Sequence, residues 1–200
     1  MKILLTLFVL FFSSTVVADD IFDFTIEKYE INKSLKDYFT DSEIENVHKN
    51  TYPGSNRFYQ YNFIFEDSKY YKISFSIKKN DPQFLIYAIS ATKLFDEDLA
   101  GCLKEKEYQL RKIENLIKTD EIESYSYTYQ YSGIGDGNNY SYITDYDFPS
   151  GTIRLYCDEF SAVTKYEYEL ADGLSMDIST TELLDFINNE AYQEKKDLSF

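Results

Sequence analysis

The sequence has no tryptophan, one histidine, two cysteines and three prolines in 200 residues. Each shortage removes a class of chemistry. With His48 alone, no multi-histidine metal site can form, and a serine- or cysteine-based triad has one candidate base. His48 stands in Val47-His48-Lys49-Asn50, expected near the end of a polar helix, where a solvated residue is the simpler reading. P-loop, G-x-G-x-x-G and zinc signatures are missing. The lack of tryptophan removes the usual sugar-stacking platform. No catalytic residue, metal ligand or cofactor is therefore assigned.

Long apolar runs are scarce too, with one exception. Met1-Lys2 precedes the run Ile3 to Phe12, relieved only by Thr6, and small or β-branched residues follow to Val16-Val17-Ala18. This is the layout of a signal peptide, residues 1–18, with cleavage expected after Ala18. The run falls short of the ~20 residues that span a bilayer, and Asp19-Asp20 closes it. The remaining residues, 19–200, are expected to form a single α+β domain without an integral membrane segment.

Positive charge is also in short supply. Twenty Lys and Arg face 35 Asp and Glu, a net charge of −15. Lys2 is the leader's single charge, and its loss makes the balance more negative. Such a surface repels phosphates, which argues against nucleic acid and anionic membranes as partners. Cationic partners remain open.

The cysteines, Cys102 and Cys157, lack C-x-x-C spacing and a neighbouring histidine, so a redox or metal pair is disfavoured. In an exported chain an isolated pair is expected to form a disulfide. Helical spacing of Leu99, Cys102, Leu103, Leu110, Ile113 and Ile117 predicts a long helix from about Asp96 to Lys118 with Cys102 on its inward stripe. Alternation of Ile153, Leu155 and Cys157 predicts a strand with Cys157 on its apolar side. The bridge would then tie helix to sheet.

Alternation recurs elsewhere. It predicts strands around Phe22-Phe24-Ile26, Tyr59-Tyr61-Phe63-Phe65, Tyr71-Ile73-Phe75-Ile77, Tyr166-Tyr168-Leu170 and Leu174-Met176-Ile178. Residues 84–94, apolar on both sides at first, suit a central strand. Ser34…Asp37, Thr40…Glu43 and Ser179-Thr180-Thr181-Glu182 read as helix starts. The fold class is α+β: an antiparallel sheet with helices packed on one face. Helix-then-strands occurs twice, which suggests a duplicated arrangement, although no residue-level repeat supports it.

What the sequence has in abundance is tyrosine, 20 residues. Residues 125–146, YSYTYQYSGIGDGNNYSYITDY, set Tyr125, Tyr127, Tyr129 and Tyr131 before a Gly/Asn-rich turn and Tyr140, Tyr142 and Tyr146 after it. One reading makes them the packed side of a hairpin, core-like at its base and wet towards the turn. The other makes them a contact surface for a protein, a glycan or an aromatic ligand. The turn residues Asp136 and Asn138 lack the full ligand set of an EF-hand loop, and Asx hydrogen bonds explain them better. Paired carboxylates for glycoside cleavage could be drawn from Asp145, Asp147, Asp158 and Glu159, though a chain this acidic supplies such pairs by chance.

The stretches Ile26-Glu27-Lys28-Tyr29-Glu30-Ile31, Ser34-Leu35, Tyr38-Phe39, Ile89-Ser90-Ala91, Leu94-Phe95 and Cys102 resemble small exported α+β proteins of AT-rich Gram-negative marine bacteria. The resemblance implies a periplasmic or secreted compartment and no particular activity. The expectation is thus a non-enzymatic binding domain for a macromolecule or glycan of the cell envelope. A carbohydrate-active hydrolase and a calcium-stabilised structural domain are the alternatives.

Overall fold

The computed structural model of the protein describes residues 18–66, 68–117 and 122–193. The expected leader, apart from Ala18, lies outside the described residues. Ala18 itself is buried, and its N–H donates to the Leu116 carbonyl at 3.1 Å.

A small hairpin, β1 (Thr25–Ile26) and β2 (Tyr29–Glu30), leads into helix α1 (Asp41–Asn46) and strands β3 (His48–Thr51), β4 (Phe58–Ile64), β5 (Lys72–Lys78) and β6 (Ile86–Leu94). The long helix α2 (Leu99–Leu116) then precedes β7 (Glu123–Gln130), β8 (Tyr140–Phe148) and β9 (Gly151–Glu159). Helix α3 (Ala162–Tyr168), strand β10 (Gly173–Thr180) and helix α4 (Thr181–Phe186) complete the order. The eight strands β3 to β10 form one antiparallel sheet in the order β3-β4-β5-β6-β10-β9-β8-β7. Each half is a four-stranded meander preceded by a helix, and the halves meet where β6 pairs with β10. The duplicated arrangement read from the sequence is present at this level, and 84–94 supplies a central strand.

Register separates the two faces. One row crosses all eight strands as Ser124, Tyr146, Ile153, Ile178, Ile89, Phe75, Tyr61 and Lys49, apolar except at its ends. Its middle members are buried and belong to the main core, with Phe24, Ile26, Tyr29 and Leu35 from the N-terminal segment. Aromatic contacts thicken the core near β4 and β5, where the Phe39 and Phe63 rings stack 3.9 Å apart.

Helix α2 lies over β9 and β10 on the same side. Asp98 caps it by accepting from the Gly101 N–H at 2.8 Å. Its buried stripe is Cys102, Lys106, Gln109 and Ile113, whereas Leu103 is turned largely outward. Lys106 occupies an apolar position because its stem can lie along the sheet while Nζ donates to the Tyr142 carbonyl at 2.7 Å. The disulfide joins Cys102 of α2 to Cys157 of β9, with Cα atoms 6.1 Å apart. Leu174 packs against it from β10.

The helical covering is not confined to that side. On the opposite face α4 places Leu183 and Phe186 against Phe58 and Ala88, making a second, smaller core. Phe58 and Ala88 face this way because they alternate with Tyr59 and Ile89, which pack on the main core. Thr180 caps α4 as its sequence suggests, accepting from the Leu183 N–H at 3.4 Å.

Two expected strands take another form. Ile21–Asp23 is a 3-10 turn stabilised by a reciprocal Asp20/Asp23 capping arrangement, so Phe22 points outward while Phe24 and Ile26 are buried. The Tyr166-Tyr168-Leu170 alternation lies in α3 and its exit instead. Ser161 caps that helix through its Oγ, 3.2 Å from the Thr164 N–H, and Tyr166 is 88% exposed. A local cap won over a periodicity that no neighbouring strand could use. His48 likewise begins the edge strand β3 rather than closing a helix.

The disulfide closes a loop across 55 positions, for which chain entropy gives a stabilisation of roughly 4 kcal/mol. Replacing both cysteines by serine is expected to lower the unfolding free energy by about that amount in equilibrium denaturation. Wild type in reductant should match the variant. A loss below about 1 kcal/mol would contradict a stapling role.

Candidate functional site

The sequence places tyrosines on alternate positions of both hairpin strands, but register divides them. Tyr125 pairs with Asp145, Tyr127 with Ile143 and Tyr129 with Ser141, so the tyrosines of β7 share a face with the odd residues of β8. Tyr140, Tyr142 and Tyr146 project from the other side. There the Tyr146 hydroxyl donates to Glu114 of α2 at 3.0 Å and the Tyr142 hydroxyl to Glu159 at 3.1 Å. Tyr146 is core and Tyr142 packs beside the disulfide. The seven candidate residues therefore do not form one surface.

On β7 the packing reading fails. All eight residues of the strand are exposed, with Tyr125, Tyr127 and Tyr129 at 47%, 39% and 51%. Tyr125 and Tyr127 lie nearly parallel with ring centres 6.0 Å apart. Tyr129 meets Tyr131 edge-on at 4.9 Å, and half-buried Tyr131 leans on Phe160. The strand is the sheet's outer edge.

Inward from β7 runs a polar row, one residue per strand: Tyr125, Asp145, Arg154, Asp177, Ser90, Ser74, Asn62 and His48. Asp145 is wholly buried and held bidentately, accepting from Arg154 Nε at 2.7 Å and Nη2 at 2.8 Å. The Tyr127 hydroxyl donates to the same carboxylate at 3.3 Å. Tyr125 and Thr152 donate to Asp147 at 3.1 and 2.8 Å. Ser74 donates to Asn62 at 2.7 Å farther along.

This environment shifts protonation. The hydrogen-bonded Asp145 carboxylate pushes the Arg154 guanidinium further towards its charged form. Burial, with Asp147 and Asp145 adding to it, pushes the Tyr125 phenol up to about 12. Burial raises Asp177, and hydrogen bonding to Ser90 and the nearby Arg154 charge offset this in part. Asp158 is pushed up to about 6, first by burial, with Asp177 and Asp172 contributing. Tyr156, on the same face, is held well above its ordinary value by Asp177 and by burial. Among the described residues, Ser141 Oγ, Asp158 Oδ1 and Asp177 Oδ1 are shielded and find no hydrogen-bond partner. Sequence reasoning missed Arg154 and Asp177. Their only signal was a polar residue between apolar neighbours, Ile153/Leu155 and Met176/Ile178.

A cleft of about 300 Å³ opens over this row, between Tyr125, Asp147 and Arg154 on the sheet and Leu184, Ile187 and Asn188 at the C-terminal helix. A second cleft of about 300 Å³ lies between α2 and the N-terminal segment, but its floor of Ile153, Met176 and Ile178 is aliphatic.

The four acidic residues considered for glycoside cleavage do not assemble as a free pair. Asp145 is tied to Arg154, Asp147 to Tyr125 and Thr152, and Glu159 faces away from Asp158 by strand alternation. In the turn, Asp136 accepts from the Asn138 N–H at 3.1 Å, the Asx arrangement. Among the described residues no group of three or more His, Cys, Asp or Glu is placed to hold a metal ion. No described helix is long and apolar enough to cross a membrane.

Asp158 gives the face a pH signature. Its folded value of about 6 exceeds the ordinary 3.8. The folded chain therefore holds this proton more tightly than the unfolded one. That contribution is complete below about pH 4 and is lost as the pH rises through 6. Asp158→Asn should be more stable than wild type at pH 7 by about 1–2 kcal/mol, with the difference closing at pH 4. Chemical denaturation at both values tests this, and an equal gap at both would contradict it.

Compared with protein-family models, with curated proteins and with solved structures, the chain finds no match in any of the three.

Proposed function

We propose that the chain is a non-catalytic binding domain, periplasmic or secreted, that receives an extended strand of a partner protein along β7. One observation carries the reading: an eight-residue edge strand is exposed along its whole length. Edge strands present unpaired N–H and C=O groups, and proteins commonly blunt them with lysine, proline, bulges or short length. The sequence of β7, ESYSYTYQ, has none of the first two, and its pairing with β8 runs without a shift from Glu123 to Gln130. The opposite edge is treated differently, since β3 is four residues long and carries Lys49.

Strand addition uses the backbone groups for affinity and the flanking side chains for selection. Here the selecting groups are Tyr125, Tyr127 and Tyr129, which offer large contact area at small entropy cost. A chain of net charge −15 favours a partner strand bearing cationic side chains. A glycan would use the rings but leave the row of backbone donors idle. Export is supported by the leader pattern and by a disulfide, which persists in oxidising compartments.

A proline scan over 124–130 tests the reading. Where the native N–H points outward, proline should leave the melting temperature within a few degrees of wild type, since no ladder bond is lost. The same variants should weaken capture of the partner from native envelope extract by roughly tenfold or more, through lost backbone hydrogen bonds. Unchanged capture by every folded proline variant would overturn strand addition.

A further inference from the structure

The cleft between α2 and the N-terminal segment is lined by no residue of β7, and strand addition makes no use of it. Its floor is the middle of the main core face, where the cover over the sheet is incomplete. Met176 is half-buried there, although Leu155 and Ala91, paired with it on either side, are wholly buried. Phe24 and Ile113 add apolar walls, and Leu116, which also lines the cleft, is 40% exposed. A cleft of about 300 Å³ with this lining suits the aliphatic part of a small molecule.

Three donors in the lining define the other end of that molecule. Tyr70 is only 4% exposed, yet among the described residues its hydroxyl makes no hydrogen bond. That oxygen is not among the sealed ones, so it opens to the cleft that Tyr70 lines. Tyr146, buried to the same degree, donates to Glu114. Burial raises the Tyr70 phenol, so it stays a donor, and Lys112 is near enough to draw it the other way. Although acids outnumber bases 35 to 20, Lys69 and Lys112 form no ion pair with a described carboxylate. Their Nζ atoms lie over the rings of Tyr70 at 5.0 Å and Tyr108 at 4.3 Å. The acids of the lining are engaged otherwise. Asp23 accepts from the N–H groups of Asp19 and Asp20 at 3.0 and 3.1 Å, and Glu27 accepts from the Ser68 hydroxyl at 3.5 Å. We infer that the cleft binds a free fatty acid, with its hydrocarbon chain on Met176 and its carboxylate among Tyr70, Lys69 and Lys112. A purely apolar ligand would leave the three donors idle, and an aliphatic ammonium would meet two cations. A phosphomonoester adds a second negative charge, which Asp23, Glu27 and the chain's −15 oppose.

Isothermal titration of the full chain with monomeric decanoate, butyrate, decyl phosphate and decyltrimethylammonium tests the inference. Decanoate should bind saturably, and each of the others should bind at least roughly tenfold more weakly. Tyr70→Phe removes only a hydroxyl without a partner, so it should leave the melting temperature unchanged and weaken decanoate binding several-fold. Lys112→Glu should weaken it roughly tenfold. Lys104→Glu makes the same change of charge at another exposed position of α2 and should leave binding unchanged. Equal weakening by the two lysine variants would reveal a diffuse charge effect and overturn the site. A marked loss of stability in Tyr70→Phe would show the hydroxyl already satisfied within the fold, and would overturn it too. So would decyl phosphate or decyltrimethylammonium binding as tightly as decanoate, or no saturable decanoate binding. None of these outcomes bears on strand addition, which the proline scan reads separately.

Discussion

The register of β7 on β8 is the constraint on which the outer half of the molecule depends. Side chains alternate along a strand, so a slip of one residue would turn Tyr125, Tyr127 and Tyr129 from solvent to the α2 side. Asp145 opposes such a slip. It is buried beside Arg154, and the Tyr127 hydroxyl reaches it diagonally across the pair. On the opposite face the Ser126 and Thr144 hydroxyls meet at 2.8 Å. A buried ion pair adds little net stability, because desolvation offsets much of the attraction. Its effect is on choice: the ion pair fixes β8 on β9, and a slip of β7 on β8 would take the Tyr127 hydroxyl away from the buried Asp145 carboxylate.

The same alternation explains why one sheet carries two unlike surfaces. The apolar row from Tyr146 to Tyr61 drives burial, and α2 with the N-terminal segment covers it. The polar row, offset by one residue on each strand, is left to α4 at one end and to solvent at β7. The disulfide reinforces this asymmetry by stapling α2 to β9 near the outer half. Its neighbour β8 is largely buried, while β7, one strand farther out, is exposed throughout. The transition from core to contact surface takes place across a single strand pair.

Much of the fold was legible because it rests on local pattern. Ile73-Phe75-Ile77 and Ile153-Leu155-Cys157 alternate cleanly and are buried. Thr40…Glu43 caps α1 in the reciprocal way its spacing suggests. The bridge followed from placing each cysteine on the inward side of its element. Where local signals competed, pattern misled. Tyr166 and Tyr168 alternate as a strand would, yet Ser161 starts a helix there. In α2, Lys106 and Gln109 occupy the buried stripe while Leu103 does not, because the sheet beneath offers a carbonyl to Lys106. The candidate site was least legible. Tyrosines on both strands suggested one face, and only pairing register, set by a nine-residue turn at 131–139, separates them. Arg154 and Asp177 read as ordinary wet-face residues until the strands lie side by side.

Cross-strand nuclear Overhauser contacts in the isotope-labelled protein measure this register directly. The account predicts backbone contacts joining Tyr125 to Asp145 and Tyr127 to Ile143, with the Tyr125 and Tyr127 rings showing few contacts to α2. Backbone contacts that instead join Tyr127 to Tyr142 or to Thr144 would contradict it. They would place the two sets of tyrosines on one face and remove the exposed strand from which the functional reading begins.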